Sequence, residues 1–150
     1  MAYEVSTTIE IAATPENVWA VLADLASYPT WHPMYQAVTG QLAAGSTLTI
    51  TSTHPKSGRT ITAKVKVLTA EPDTELRWAS KLLGRTISER EFRLSSTVDG
   101  TSLVQAGTYS GLGGGRGRAM TKVIGRIQDT YVAINEAIKQ QAEARQRASG

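Results

Sequence analysis

The stretch RAMTKVIGRIQDTYVAINEAIKQQAEARQR, residues 118–147, decides the fold. Met120, Val123, Ile124, Ile127, Tyr131, Ile134 and Ile138 recur at three- and four-residue steps, so they share one side of a helix. Lys122, Arg126, Asp129, Glu136, Lys139, Gln140 and Glu143 fall largely on the other side. At 1.5 Å per residue such a helix is roughly 45 Å long. An element this long and one-sided is not stable alone, so its stripe must lie on a broad apolar surface.

The chain upstream reads mostly as strands that could supply that surface. Tyr3, Val5, Thr7, Ile9 and Ile11 alternate with polar or small residues, the period of a half-buried strand. Thr14-Pro15-Glu16 then starts a helix: a hydroxyl N-cap, a proline at the first helical position and an acid near the positive end. Tyr28-Pro29-Thr30-Trp31-His32-Pro33 is a compact aromatic turn through which that helix cannot continue. Six further strands are expected at Tyr35–Gly40, Leu48–Thr53, Arg59–Thr69, Leu76–Leu83, Thr86–Ser95 and Ser102–Ser110. Short turns join them, among them Val98-Asp99-Gly100, and Asp-Gly between alternating segments is a strong hairpin signal. Seven strands so connected imply a mostly antiparallel sheet, with a helical pair between the first and second.

The motifs Thr14-Pro15-Glu16-Asn17-Val18-Trp19 and Tyr28-Pro29-Thr30-Trp31-His32-Pro33 resemble the opening of the polyketide cyclase/dehydrase and lipid-transport proteins. Leu76-Arg77-Trp78, Phe92-Arg93-Leu94, Gly100-Thr101-Ser102-Leu103 and Tyr109-Ser110-Gly111 extend the resemblance over essentially the whole chain. That family belongs to the START/birch-pollen-allergen (SRPBCC) superfamily. The resemblance implies an α+β helix-grip fold: a curved seven-stranded antiparallel sheet wrapped around the long C-terminal helix, with two short helices after the first strand. One domain is expected over residues 1–147, with 148–150 as a tail. A cavity between sheet and helix is also implied, but no particular ligand, because the superfamily includes cyclases, dehydratases, carriers and chaperone co-factors.

Strand alternation selects candidate lining residues. Trp78, Ser80 and Leu82 share one face, as do Ile61, Ala63 and Val65, and Arg90, Phe92 and Leu94, and Leu103, Gln105 and Tyr109. With Trp78, Phe92 and Leu103 inward, the expected walls are Ile61, Val65, Trp78, Phe92 and Leu103, with Ile124 and Ile127 from the helix. Arg90, Gln105 and Tyr109 are the polar points. A guanidinium in an apolar cup can hold a carboxylate or polarise a carbonyl, and it can equally pair with Glu89 or Glu91 at the rim. Gln105 and Tyr109 could donate to a ligand oxygen, and a tyrosine with its hydroxyl at a core edge is just as ordinary. His32 is placed at the cavity mouth and His54 at a strand end, each a general base by chemistry or a solvent-facing loop residue. Gly111–Arg118 offers Arg116 and Arg118 to a phosphate but lacks the Lys-Ser/Thr ending of a P-loop, and a hinge for the last helix suits it better.

Composition narrows the classes. The chain has 150 residues, no cysteine and a formal charge of +3, which excludes disulfides and thiolate chemistry and gives little support for nucleic-acid binding. No apolar run reaches a membrane span, and a cytoplasmic protein is expected. The residues call for no metal and no cofactor, and a homodimer is compatible with them. The leading expectation is binding of a small hydrophobic molecule such as a polyketide or lipid, with cyclase- or dehydratase-like chemistry on it. The alternative is an interaction or chaperone co-factor module of the Hsp90-activator type, and a third reading is a phosphate-binding module.

Overall fold

The computed structural model describes residues 2–53, 57–110 and 118–149. His54, the glycine-rich stretch 111–117 with Arg116, and the side chains of Leu82, Arg118 and Met120 lie outside that description, so the hinge and phosphate-loop readings do too. Strand β1 (Ala2–Ile11) is followed by helix α1 (Pro15–Ala23), a 3-10 turn (Leu25–Ser27) and the single helical turn α2 (Tyr28–Trp31). Strands β2 (Tyr35–Thr39), β3 (Thr47–Thr53), β4 (Thr60–Glu71), β5 (Glu75–Leu82), β6 (Arg85–Thr97) and β7 (Gly100–Ser110) lead to helix α3 (Arg118–Ser149).

The local chemistry explains the boundaries. The Thr14 hydroxyl accepts the Asn17 backbone N–H at 3.3 Å, and Pro15 occupies the first turn of α1. The helix ends at Asp24, and helix resumes at Tyr28 with Pro29 near its start, where a missing N–H costs nothing. At the β6–β7 turn Gly100 has φ 150°, and a Cβ there would run into the Ile11 carbonyl and Ala13 backbone, so only glycine admits this approach.

The strands form one sheet in the order β1-β7-β6-β5-β4-β3-β2, with every neighbouring pair antiparallel. Register shifts at Tyr35/Ala37, Val67/Thr69 and Ser80/Lys81 bend the strands. Helix α3 packs chiefly on β1 and α1. The core joins Val18, Val21 and Leu22 of α1 to Ile134, Ile138 and Ala142 of α3 over Leu76, Trp78, Phe92 and Leu103 of the sheet. Polar ties fix the far end of α3. Glu143 accepts the Ala12 N–H at 2.8 Å, and Gln146 accepts from Thr14 and Asn17 at 3.0 and 2.7 Å. The Ala12 N–H, with Lys139 beside it, holds the Glu143 carboxyl below its usual range.

Three expectations need correction. Helix α3 continues to Ser149, through the expected tail. Ile61 shares the Val65 side of β4, yet it is 52% exposed because β4 is covered only from Val65 onward. Ile124 and Ile127 are half-buried, and the sealed seam of α3 starts a turn later at Tyr131.

Candidate functional site: a cleft between the sheet and the first half of helix α3

The site is built outward from a buried polar bridge. Gln105 on β7 is completely buried and faces α3, where its Nε2 donates to the Tyr131 carbonyl at 3.2 Å and to Asn135 Oδ1 at 2.6 Å. Asn135 in turn donates to the Thr7 hydroxyl on β1 at 2.9 Å. The remaining Gln105 oxygen accepts Arg90 Nη2 at 2.7 Å. Every polar atom of the Gln105 amide is thereby committed to the protein, as a buried amide requires. Gln105 fastens helix to sheet and is not available to a ligand, contrary to the sequence expectation.

Arg90 continues the chain into the cleft. Its Nη1 donates to the Tyr35 hydroxyl at 2.7 Å, and its guanidinium lies 4.7 Å from the Tyr131 ring centroid. Its Nε is buried and has no hydrogen-bond partner among the described residues. The expected pairing with Glu89 or Glu91 does not occur: Glu91 pairs with Arg77 and Arg93 at 3.4 and 3.6 Å, and no described carboxylate bridges Arg90. Burial works against the Arg90 charge, yet the hydroxyls of Tyr35, Tyr131 and Tyr109 outweigh it and hold the pKa above its ordinary value. The site therefore contains a cation whose five N–H groups make two hydrogen bonds to described residues, with Nε making none of them.

Three tyrosines frame that cation. The Tyr109 and Tyr131 hydroxyls hydrogen-bond each other, and burial pushes the Tyr131 pKa up despite Arg90. The Tyr131 phenol fits only because Gly107 on β7 has no side chain; an added Cβ would fall on the phenol oxygen. Gly107 is the register partner of both Arg90 and Val5, so the glycine sits directly beneath the polar group.

His32 lies behind Tyr35. The two rings stack at 3.8 Å, and His32 Nδ1 accepts the backbone N–H groups of Met34 and Tyr35 at 3.1 and 3.0 Å. Nδ1 is therefore unprotonated and the neutral ring carries its proton on Nε2. Burial, with the Arg90 charge adding to it, lowers the pKa to about 3. The imidazole is a buried turn-former that positions Tyr35, and the expected solvent-facing or general-base histidine is not what this environment makes.

These groups border a cleft of about 600 Å³ lined by Met34, Tyr35, Arg90, Tyr109, Arg126, Ile127, Asp129, Thr130, Tyr131 and Ile134. Arg90, Tyr109 and Ile127 are the sequence candidates that meet there. Val65, Trp78, Phe92 and Leu103 are buried in the packed core and do not line the cleft; Trp78 and Phe92 meet edge to face with ring centroids 5.9 Å apart. Ile61 and Ile124 are also absent from its walls. The sequence reading missed Tyr35, Tyr131 and the Gln105–Asn135 pair. The signal for the last two was present: a tyrosine in an otherwise aliphatic stripe, followed by an asparagine on the same side.

The family model described as polyketide cyclase / dehydrase and lipid transport matches residues 2–143. The chain belongs to this family. Its seven-stranded antiparallel sheet, long last helix and two short helices after β1 are the helix-grip fold of the wider SRPBCC superfamily. Among solved structures this family member resembles the Zhui aromatase/cyclase from Streptomyces sp. R1128, at 20% identity and TM-score 0.75, over 100% of this chain and 99% of that one. It also matches the di-domain ARO/CYC StfQ of the steffimycin biosynthetic pathway, at 14% identity and TM-score 0.79, over 97% of this chain and 52% of that one. The chain thus spans about half of StfQ. Ara h 8.0201 matches at 13% identity and TM-score 0.72, covering 96% and 99% of the two chains. At these identities the likeness establishes the fold. No curated protein sequence matches. Among the described residues no helix is long and apolar enough to cross a membrane.

Proposed function

We propose that the protein binds a small, largely apolar molecule carrying at least one hydrogen-bond-accepting oxygen, in the cleft between the sheet and the first half of α3. The observation that carries this reading is the buried Arg90 Nε, without a partner among the described residues, on a guanidinium that lines an open volume of about 600 Å³. A buried donor left unpaired costs about 1–3 kcal/mol, so a ligand that supplies an acceptor recovers that cost. Nη1 and Nη2 each keep a second N–H beside their bonds to Tyr35 and Gln105, so the guanidinium can meet a carbonyl, enolate or phenol oxygen as well as a carboxylate. Ile127, Ile134, Met34 and the tyrosine rings would enclose the apolar part.

Family membership and the aromatase/cyclase relatives support a polyketide or similar polyketone as the ligand class, with cyclisation or dehydration as the chemistry. Arg90 would polarise a bound carbonyl, and the Tyr109–Tyr131 hydroxyl pair would exchange a proton with it. Orientation in the cleft would contribute the rest, an effect worth about 7–11 kcal/mol in favourable cases. Among the described residues the cleft is open, which supports ligand binding over the interaction-module alternative. The setting we propose is cytoplasmic, in keeping with a chain without cysteine.

Titration of tryptophan fluorescence with flavonoids, aromatic polyketides and fatty acids tests the reading, with Trp78→Phe identifying the reporter opposite Arg90 on β5. Arg90→Met should weaken oxygenated aromatic ligands by about 5- to 100-fold while a hydrocarbon of the same shape changes little. Saturable binding that ignores Arg90→Met in a protein shown to be folded would remove Arg90 from the site, and absence of binding by every class would remove the site.

A further inference from the structure

The formal charge of +3 conceals a segregation along the molecule. No Asp or Glu occurs in residues 41–70, 76–88 or 100–128. The antiparallel order carries each of these runs through one margin of the sheet, where β3, β5 and β7 end, β4 and β6 begin, and α3 enters. Arg59, Lys64, Lys81, Arg85, Lys122 and Arg126 are exposed toward that end, and none is bridged to a described carboxylate. Glu4 and Glu89, which flank Thr108 on β1 and β6, and Asp129 further along α3 are the acids that border it. The opposite margin carries Glu10, Glu71, Asp73, Glu75 and Asp99.

An apolar tip stands among the cations. Leu83 and Gly84 form the two-residue turn between β5 and β6, with φ 52° and 78°. Such turns favour asparagine, aspartate or glycine, and a leucine at positive φ is disfavoured. Here the leucine is also 94% exposed, so the fold gains nothing from its side chain. Ile61, near the start of β4 and 52% exposed, is a second apolar group on this side. Met34, Tyr35, Tyr109 and Arg126 of the cleft belong to the same margin.

We propose that this margin docks on a lipid bilayer bearing anionic phospholipids, with Leu83 inserted among the acyl chains and Lys81, Arg85, Arg59 and Lys64 on the head groups. Charge complementarity selects the occupant. The cations are spread over separate hairpins around a protruding side chain rather than along a groove, which suits a flat anionic surface better than a folded acidic partner. Docking here would set the cleft beside a reservoir of apolar molecules. The proposal stands on charge and exposure alone, and it is measured without any cleft ligand, so its failure and that of the binding reading are separate events.

Cosedimentation with vesicles of phosphatidylcholine alone, and of equimolar phosphatidylcholine and phosphatidylglycerol, tests it. Binding is expected to the anionic vesicles only, and to be lost at about 1 M salt, where the screening length falls to ~3 Å. Lys81→Glu with Arg85→Glu should weaken it more than about tenfold. Leu83→Asn should also weaken it about tenfold, while raising the melting temperature because asparagine accepts the left-handed turn. Val98→Ser, which changes a fully exposed valine at the opposite margin, should leave binding unchanged. Equal binding to both vesicles, no binding to the anionic ones, or indifference to Leu83→Asn overturns the proposal. Capture by an acidic protein in the absence of vesicle binding would assign the surface to that partner and overturn it as well.

Discussion

Replacing Gln105 with leucine should loosen the attachment of α3 to the sheet more than its conservative size suggests. Gln105 is fully buried, and its amide bonds Arg90 Nη2, the Tyr131 carbonyl and Asn135 Oδ1. The Tyr131 carbonyl keeps its place in the helical ladder, so leucine strands two groups: a neutral amide oxygen and one nitrogen of a cation. A buried unsatisfied neutral group costs about 1–3 kcal/mol and a charged one more, so the pair costs roughly 3–5 kcal/mol, offset in part by the apolar surface leucine buries. A net loss of about 3 kcal/mol lowers the melting temperature of a chain this size by roughly 6–12 °C. Gln105→Glu keeps Arg90 paired but sets a carboxylate oxygen against the Tyr131 carbonyl, so near neutral pH it should also destabilise, though by less than leucine. Calorimetry of the two variants, with Asn135→Leu completing a double-mutant cycle, measures the bridge directly. A leucine variant that melts with the wild type, or a cycle with no coupling, would refute the reasoning.

Other expectations concern single side chains. Folded His32 titrates at about 3 and an unfolded histidine near 6.5, so between those values the unfolded chain takes up the extra proton. Stability should therefore fall as the pH drops from about 6.5 toward 3, by up to ~1.4 kcal/mol per pH unit, and His32→Asn, which keeps an acceptor for the two backbone amides, should flatten that slope in urea melts. Gly107→Ala drives a methyl into the Tyr131 phenol and should cost about 1–3 kcal/mol, with a changed near-ultraviolet dichroism. Ile134→Asp, in the sealed seam of α3, should cost several kcal/mol while exposed Gln140→Asp costs under about 0.5; equal denaturation midpoints would contradict the assigned face.

The fold was legible because its signals are periodic and local. The stripe Ile127, Tyr131, Ile134, Ile138 marked α3, the Thr14-Pro15 cap marked α1, and turn chemistry separated seven strands. Alternation also showed that Arg90 and Gln105 share the side of Phe92 and Leu103, and both meet groups on α3. Alternation alone does not tell where along a strand the helix covers it. Ile61 and Val65 have the same parity, yet one is exposed and the other sealed, because the core covers β4 only from Val65 onward. The division between packed core and open cleft was hidden for the same reason. Trp78 and Phe92 looked like walls, but they are sealed in one core cluster with Val18, Val21 and Leu22 of α1 and Ile134, Ile138 and Ala142 of α3, while the open volume lies beside the first half of α3. His32 was misjudged because a histidine in a turn reads as exposed until the stacked Tyr35 ring and the two amides it accepts are seen.

The central claim is that the cleft holds an apolar, oxygen-bearing molecule against Arg90. Native mass spectrometry of protein purified without detergent tests it most directly, on the wild type and on Ile127→Trp, which fills the cleft from α3. After reconstitution with an aromatic polyketone, the wild type should retain one molecule per chain and the tryptophan variant, still folded, should retain none. Retention by both, or by neither across the oxygenated and hydrocarbon ligands tried, would contradict the claim.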